Sequence, residues 1–393
     1  MSGAHRILVA CGEFPPVTGG IASLCHAACV ALARMEGVDL HLFVPAGSSD
    51  VPGATVHRLC ERPRSALGAR GTVRTNARRL GELARRYGFD RVVFMDACAR
   101  ALAAAPEIST DSSIYVHGTE LVVSSRGGEL LSGRFASTRR ALSLAGRILV
   151  NSAATGRLLE RALPGADYEV VHPCFNPGHV YDPDVHTWNP YAGLDGRFVF
   201  LTVSRLAPRK GHDRVAEILA RLRPRLPPFV WCVVGDGPSR EAIERSAVSR
   251  GIRDSVVFAG RVPDWELGAY YRHADLFVML SKRAADGVEG FGLSFIEAGM
   301  SGTAAVGSDH GGVVEAVLDG ITGMTVGGDL AEASERILAL VQDPERRRLY
   351  ASVSARRARR ELTPDAFARA LLSGEEGARG SGRSGVLGTR WAS

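Results

Sequence analysis

Short apolar, largely β-branched runs recur along the chain, and between them apolar positions return at helical spacing. The first half carries RILVA (6–10), LHLFV (40–44), RVVFM (91–95), SIYVH (113–117), RILVN (147–151) and YEVVH (168–172). The pattern lapses over 173–196, where Pro173, Pro177, Pro183 and Pro190 fall among polar and glycine positions, and this stretch reads as a linker. It restarts with FVFLTV (198–203), FVWCVV (229–234), VVFAG (256–260), DLFVML (275–280), TAAVG (303–307) and GMTV (323–326). Near-continuous apolar runs suit parallel strands covered by helices on both faces. The expectation is an α/β chain of two βαβ domains, 1–185 and 186–363, facing each other across a cleft. Thr363 caps a final helix within 364–376, expected to cross back to the N-terminal domain, and the Gly/Ser/Arg-rich stretch 377–393 reads as a disordered tail.

Composition narrows the class. Of 393 residues, 45% are apolar and 23% charged, the mixture of a soluble globular protein. No apolar run approaches the roughly 20 residues of a membrane span, and the five at Ile7–Cys11 are too few for a signal peptide. Seven cysteines without framework spacing suggest reduced thiols in a cytoplasm. The net charge of +6 is local, since the segment from Arg62 to Tyr87 holds eight arginines against the single acid Glu82. Arg70, Arg74 and Arg78 fall on one helical face of it, and Val73, Ala77, Leu80 and Ala84 on another. Such a helix could rest on anionic lipid, each charge adding about 1 kcal/mol near the surface. A solvated face in an arginine-rich protein is the reading preferred here. Aromatics are not interleaved with these charges, so nucleic acid is not expected as a partner.

Four segments could carry chemistry. In VEGFGLSFIEAG (288–299), Glu289 precedes a Gly290-Phe291-Gly292 turn, and a helix should start near Leu293 with Glu297 in its early turns. The glycines permit close backbone approach, and the helix start offers N–H donors to a phosphate. Each carboxylate could hold a sugar diol. The segment also reads as an ordinary strand–loop–helix connection in which Glu297 favours the helix dipole. In SRLAPRKG (204–211), Ser204, Arg205 and Lys210 follow a strand directly. Two cations there would neutralise a diphosphate and stabilise its departure. Lys210 is one of two lysines among 48 basic residues, which argues against an incidental basic turn. Gly19-Gly20 in FPPVTGG (14–20) stands at another helix start, without the G-x-G-x-x-G of a dinucleotide fold. His117 in HGTE (117–120) ends a strand and is either structural or a substrate contact. Asp182-Pro-Asp184 lies in the linker and Cys25, His26 and Cys29 in an apolar helix, so no metal site is expected.

Taken in order, FPPVTGGIA, HGTE, SRLAPRKG, VVGDGP (233–238), FAGRV (258–262) and EGFGLSFIEAG resemble the motifs of the large retaining glycosyltransferase family with the GT-B fold. Sucrose synthases, phosphatidylinositol mannosyltransferases and the first glycosyltransferase of mycothiol synthesis belong to it. The most specific element is E-x7-E, here Glu289 and Glu297, combined with S-R-x-x-x-x-K-G. The resemblance implies two Rossmann-like domains, the first binding the acceptor and the second a nucleoside-diphosphate sugar. It implies that Arg205 and Lys210 hold the donor diphosphate, with Gly20 and the amides around Phe291–Leu293 completing its cradle. Glu289 would bind the donor sugar, Glu297 the ribose diol, Arg261 and Val262 the base, and His117 the transferred sugar near its reacting carbon. The implied reaction retains anomeric configuration, with no metal or other cofactor, and the departing phosphate oxygen takes the acceptor proton. One departure stands out: the family's Asn-Gly-Val-Asp linker segment is replaced by HPCFNPGHVYDP.

The expected activity is transfer from a UDP-sugar, UDP-GlcNAc being one candidate, to a small soluble or natural-product acceptor in the cytoplasm. A lipid acceptor reached from the inner membrane face is the alternative. A UDP-sugar epimerase of the same fold is a further one, disfavoured by the pairing of E-x7-E with S-R…K-G.

Overall fold

The computed structural model describes residues 4–59, 66–96, 98–100, 111–121, 128–283 and 289–373, with side chains described outside 66–71 and 128–135. It divides into two compact units, Met1–Cys174 together with the segment from Pro364, and Phe175–Thr363.

The first unit runs β1 (His5–Ala10), α1 (Gly20–Ala33), β2 (Val38–Pro45), β3 (Thr55–Leu59), α2 (Ala66–Tyr87), β4 (Arg91–Phe94), β5 (Ser112–Val116), α3 (Gly128–Leu144), β6 (Arg147–Val150), α4 (Ala153–Ala162) and β7 (Glu169–Val170). Its parallel sheet has the order β3-β2-β1-β4-β5-β6-β7. One face packs Leu8, Val92, Ile114 and Ile148 against Leu80 of α2, Leu142 of α3 and Leu159 of α4. The edge strand β3, TVHRL, was not expected. Its mostly part-buried positions, with Thr55 exposed and Leu59 buried, lack the continuous apolar run that marks the inner strands.

The second unit runs β8 (Phe198–Val203), α5 (His212–Leu222), β9 (Phe229–Val234), α6 (Arg240–Ser249), β10 (Val256–Gly260), α7 (Leu267–Arg272), β11 (Leu276–Met279), α8 (Leu293–Met300), β12 (Ala305–Ser308), α9 (Val313–Ala316), β13 (Met324–Val326), α10 (Leu330–Gln342) and α11 (Pro344–Glu361). Its parallel sheet has the order β10-β9-β8-β11-β12-β13. Alternation along β8 feeds two cores: Phe198 and Phe200 join one layer, Val199 and Leu201 the other. Trp231 is fully buried and remains satisfied, donating from Nε1 to Thr202 Oγ1 at 3.0 Å, while Thr202 donates to the Val278 carbonyl at 2.6 Å.

One boundary differs from the sequence reading. The first unit ends at Cys174 rather than 185, because Phe175 and Tyr191 of the expected linker are buried in the second unit's core. The final helix, α12 (Pro364–Leu372), packs on α1 within the first unit. It buries Phe367, Ala368 and Leu371, and the Phe367 ring meets Tyr115 edge-on at 5.1 Å. Arg147 and Arg91 donate to the carbonyls of Leu371 and Leu372, so two cations close the helix's negative end.

Candidate active site

In the second sheet β8 and β11 are neighbours, yet the helices that follow them cover opposite faces. Val215, Ile218 and Leu219 of α5 join one core layer, and Phe295, Ile296 and Ala298 of α8 the other. The loops leaving the carboxyl ends of the two strands therefore diverge, which opens a crevice at this point of a parallel sheet. Glycines set how closely those loops approach. A Cβ on Gly211, whose φ is +71°, would lie 1.7 Å from the Leu280 carbonyl oxygen, and one on Gly312, in the loop after β12, would lie 1.8 Å from that of Gly290 in the loop after β11. Gly292, at φ +97°, is the residue before α8, and no side chain caps that helix.

Lys210 and Glu289 meet in this crevice. Three donors converge on Glu289 Oε2: Lys210 Nζ at 2.7 Å, Ser281 Oγ at 3.1 Å and Arg209 Nη1 at 3.2 Å. Oε1 receives no hydrogen bond among the described residues. The carboxylate is 8% exposed. Burial pushes its carboxyl up, but the charges of Lys210 and Arg209 and the bonds from Lys210 and Ser281 override that and hold it at about 2. Burial also lowers the Lys210 ammonium, an effect that Glu289 opposes. Behind Lys210, buried His212 lies 3.3 Å from Ser204 Oγ, and burial with the Lys210 charge lowers its imidazole to about 4.

Glu297 occupies a different setting. It is the fifth residue of α8, and the first turn of that helix holds no acid, so the helix-dipole account fails. Its carboxylate is buried and doubly engaged, with Oε1 2.9 Å from His179 Nδ1 and Oε2 accepting from the Tyr271 hydroxyl at 2.9 Å.

The other expected residues are spread along the chain. Arg205 is exposed, and Arg209 rather than Arg205 accompanies Lys210 at Glu289. Arg261 is exposed and Val262 partly buried, directly after β10. Gly290 is partly exposed, Phe291 packs in the core and Leu293 opens α8. Gly19, Gly20 and His117 belong to the first unit. Gly19 precedes α1 at φ 147°, where an added Cβ would meet open space. His117 is 9% exposed and its Nε2 donates to the Met95 carbonyl at 2.8 Å. Sequence reasoning did not name Arg209, Ser281, His179, Tyr271 or Asp96. Asp96 fixes the loop after β1 by accepting from the backbone N–H of Gly12 at 2.7 Å and of Glu13 at 2.8 Å. Arg209 and Ser281 could have been found as polar residues directly following strands; His179 carried no periodic signal.

On α2, the segment singled out for its arginines, Ala77 and Leu80 are buried while Arg74, Arg78, Arg79, Arg85 and Arg86 are exposed. Arg62 and Arg64, and the side chain of Arg70, lie outside the described residues. Among the described residues no helix is long and apolar enough to cross a membrane.

Residues 18–179 match the family model described as Glycosyltransferase Family 4, and residues 189–356 the one described as Glycosyl transferases group 1. A protein of Mycolicibacterium smegmatis named GDP-mannose-dependent alpha-(1-6)-phosphatidylinositol monomannoside mannosyltransferase is 31% identical over 358 residues, covering 86% of this chain and 90% of that protein. The chain belongs to the GT-B glycosyltransferase family. Solved structures agree on the fold. Sucrose-phosphate synthase from Thermosynechococcus elongatus superposes with a TM-score of 0.76 at 20% identity, over 94% of this chain and 97% of that one. Anabaena HepE, solved with UDP and glucose, gives 0.73 at 19%, over 94% and 98%. As a GT-B glycosyltransferase the chain is an enzyme that draws on a nucleotide sugar.

Proposed function

We propose that this glycosyltransferase moves a mannosyl group from GDP-mannose to a hydroxyl of an inositol-containing lipid, with retained anomeric configuration and no metal ion. The observation that carries the reading is the convergence on Glu289 in the crevice between β8 and β11. Its Oε2 is fixed by Lys210, Arg209 and Ser281, while Oε1 is left to accept from a sugar hydroxyl. Lys210, with the exposed Arg205, supplies positive charge to a diphosphate as it departs. Backbone amides around Phe291–Leu293, which follow Gly290, cradle that diphosphate at an uncapped helix start. Glu297 accepts from the ribose hydroxyls, and Arg261 and Val262 flank the base. The motif order assigns Gly20, beside Gly19, to the diphosphate and His117 to the transferred sugar. The bond from the anomeric carbon to the phosphate oxygen breaks as the acceptor oxygen attacks on the same face, and that phosphate oxygen takes the acceptor's proton.

The name of the 31%-identical relative weights the donor to GDP-mannose and the acceptor to a phosphatidylinositol mannoside, ahead of a UDP-sugar and a soluble acceptor. The exposed arginines of α2 support a lipid surface as the place of work. The test offers GDP-mannose and UDP-GlcNAc, each with phosphatidylinositol mannoside or a soluble cyclitol, with and without EDTA. Expected is an α-mannosylated lipid whose formation EDTA leaves unchanged. Transfer from UDP-GlcNAc to the cyclitol alone, a β-linked product, or loss of activity in EDTA would each overturn the corresponding part.

A further inference from the structure

Glu297 is anchored by a residue from the segment where the sequence departs from its family. His179, 6% exposed, places Nδ1 2.9 Å from Glu297 Oε1 and Nε2 3.1 Å from Asp264 Oδ2. A ring that meets a carboxylate at each nitrogen donates twice, which requires the imidazolium. Burial lowers the imidazole, but Glu297 and Asp264 outweigh it and the pKa is pushed up to about 10. A buried cation thus ties α8 to the Arg261–Glu266 stretch after β10, the stretch proposed to flank the base. Each Glu297 oxygen has two lone pairs, so after its bond to His179 or Tyr271 each retains one acceptor direction. With both oxygens held, the carboxylate cannot turn, and a ligand that meets it need not order it.

We propose that His179 is a positioning residue of the donor site, holding the Glu297 carboxylate in the attitude that accepts the ribose hydroxyls of the nucleotide. The proposal rests on the reading of Glu297 as the ribose acceptor. It makes a specific demand on the ring's two nitrogens: the donor at the Nδ1 position serves the ribose, and the donor at Nε2 serves Asp264.

The experiment measures binding of GDP and dGDP, and of UDP and dUDP in parallel, to the full chain by calorimetry, and takes the ribo-to-deoxy affinity ratio. Loss of a hydrogen bond to a charged acceptor predicts a wild-type ratio of about tenfold or more for the cognate base. His179→Asn keeps a donor near the Nδ1 position and should retain most of that ratio. His179→Gln keeps one near Nε2 instead and should bring the ratio to within about twofold of unity. A His179→Gln ratio equal to wild type, whatever happens to melting temperature, makes His179 a purely structural tie and overturns the proposal. Glu297→Ala separates the two levels. If its ratio stays at the wild-type value, the ribose reading of Glu297 itself fails; if it collapses while His179→Gln does not, the role of His179 alone fails.

Discussion

Lys210 Nζ lies 2.7 Å from Glu289 Oε2, and the two residues come from loops whose following helices cover opposite faces of the second sheet. The pair therefore spans the crevice that parallel-sheet topology opens between β8 and β11. Its ions are matched in charge; on the proposed reading a diphosphate beside Lys210 would compete with Glu289 for the ammonium, while a sugar hydroxyl would meet Oε1, which receives no hydrogen bond among the described residues.

Lys210→Ala should lower kcat by about 10²–10³-fold, the range for removing one fixed donor from a developing anion. Steady-state turnover with saturating GDP-mannose reads this directly. A change within threefold would remove Lys210 from the leaving-group role.

Two buried groups each withdraw stability as pH falls, in separate windows. Glu289 has a folded pKa of about 2, below its ordinary 4.5, so its contribution to stability is complete above pH 4.5 and is lost as pH falls towards 2. The melting-temperature gap between wild type and Glu289→Gln should narrow over that interval. His212 has a folded pKa of about 4, below its ordinary 6.5, so the unfolded chain takes up the proton first and stability declines as pH falls from 6.5 to 4. His212→Gln should remove that part of the decline, and parallel curves for variant and wild type over this window would refute it.

Gly312→Ala should cost about 3 kcal/mol or more, since its Cβ would strike the Gly290 carbonyl, which as backbone cannot swing aside. Gly328→Ala, with nothing within 4 Å of its Cβ, is the matched control and should melt like wild type. Denaturant midpoints of the two variants suffice.

Arg357 is buried to 4% exposure and donates to the carbonyls of Glu315 at 2.8 Å and Ala316 at 3.2 Å, closing the end of α9. Arg357→Ala should cost about 2–4 kcal/mol, because two carbonyls lose charged donors in a place water does not reach. Arg357→Lys should recover less than half, lacking the fork that serves both oxygens. Equal melting of Lys variant and wild type would show that charge alone suffices.

The apolar runs of both halves appear as strands because a strand buried on two faces must be apolar at every position, a signal that survives in one sequence. The edge strand β3 has no such constraint, and TVHRL is indistinguishable from a loop until it pairs with β2. The Pro-rich stretch after Cys174 was read as a connection because prolines and glycines interrupt periodicity. Its Phe175 and Tyr191 are nonetheless core residues, a fact set by packing rather than pattern. In the site, Lys210 and Glu289 were legible from residue type and motif spacing. Arg209 was not, since any arginine in S-R-x-x-x-x-K-G looks equally suited and side-chain direction decides which one turns inward. His179 and Glu297 are 118 positions apart, and no local rule brings them to 2.9 Å.

The placement of α12 has a consequence for how the polypeptide is made. Phe367, Ala368 and Leu371 complete the hydrophobic interior of a unit whose other residues all precede Phe175. A ribosome adding about 5–20 residues per second must extend the chain by roughly 190 more before that helix exists, a delay of tens of seconds. Through that interval the nascent first unit exposes the apolar flank of α1 that α12 will later cover, so it is the half in need of a chaperone, while the second unit can close as soon as it emerges.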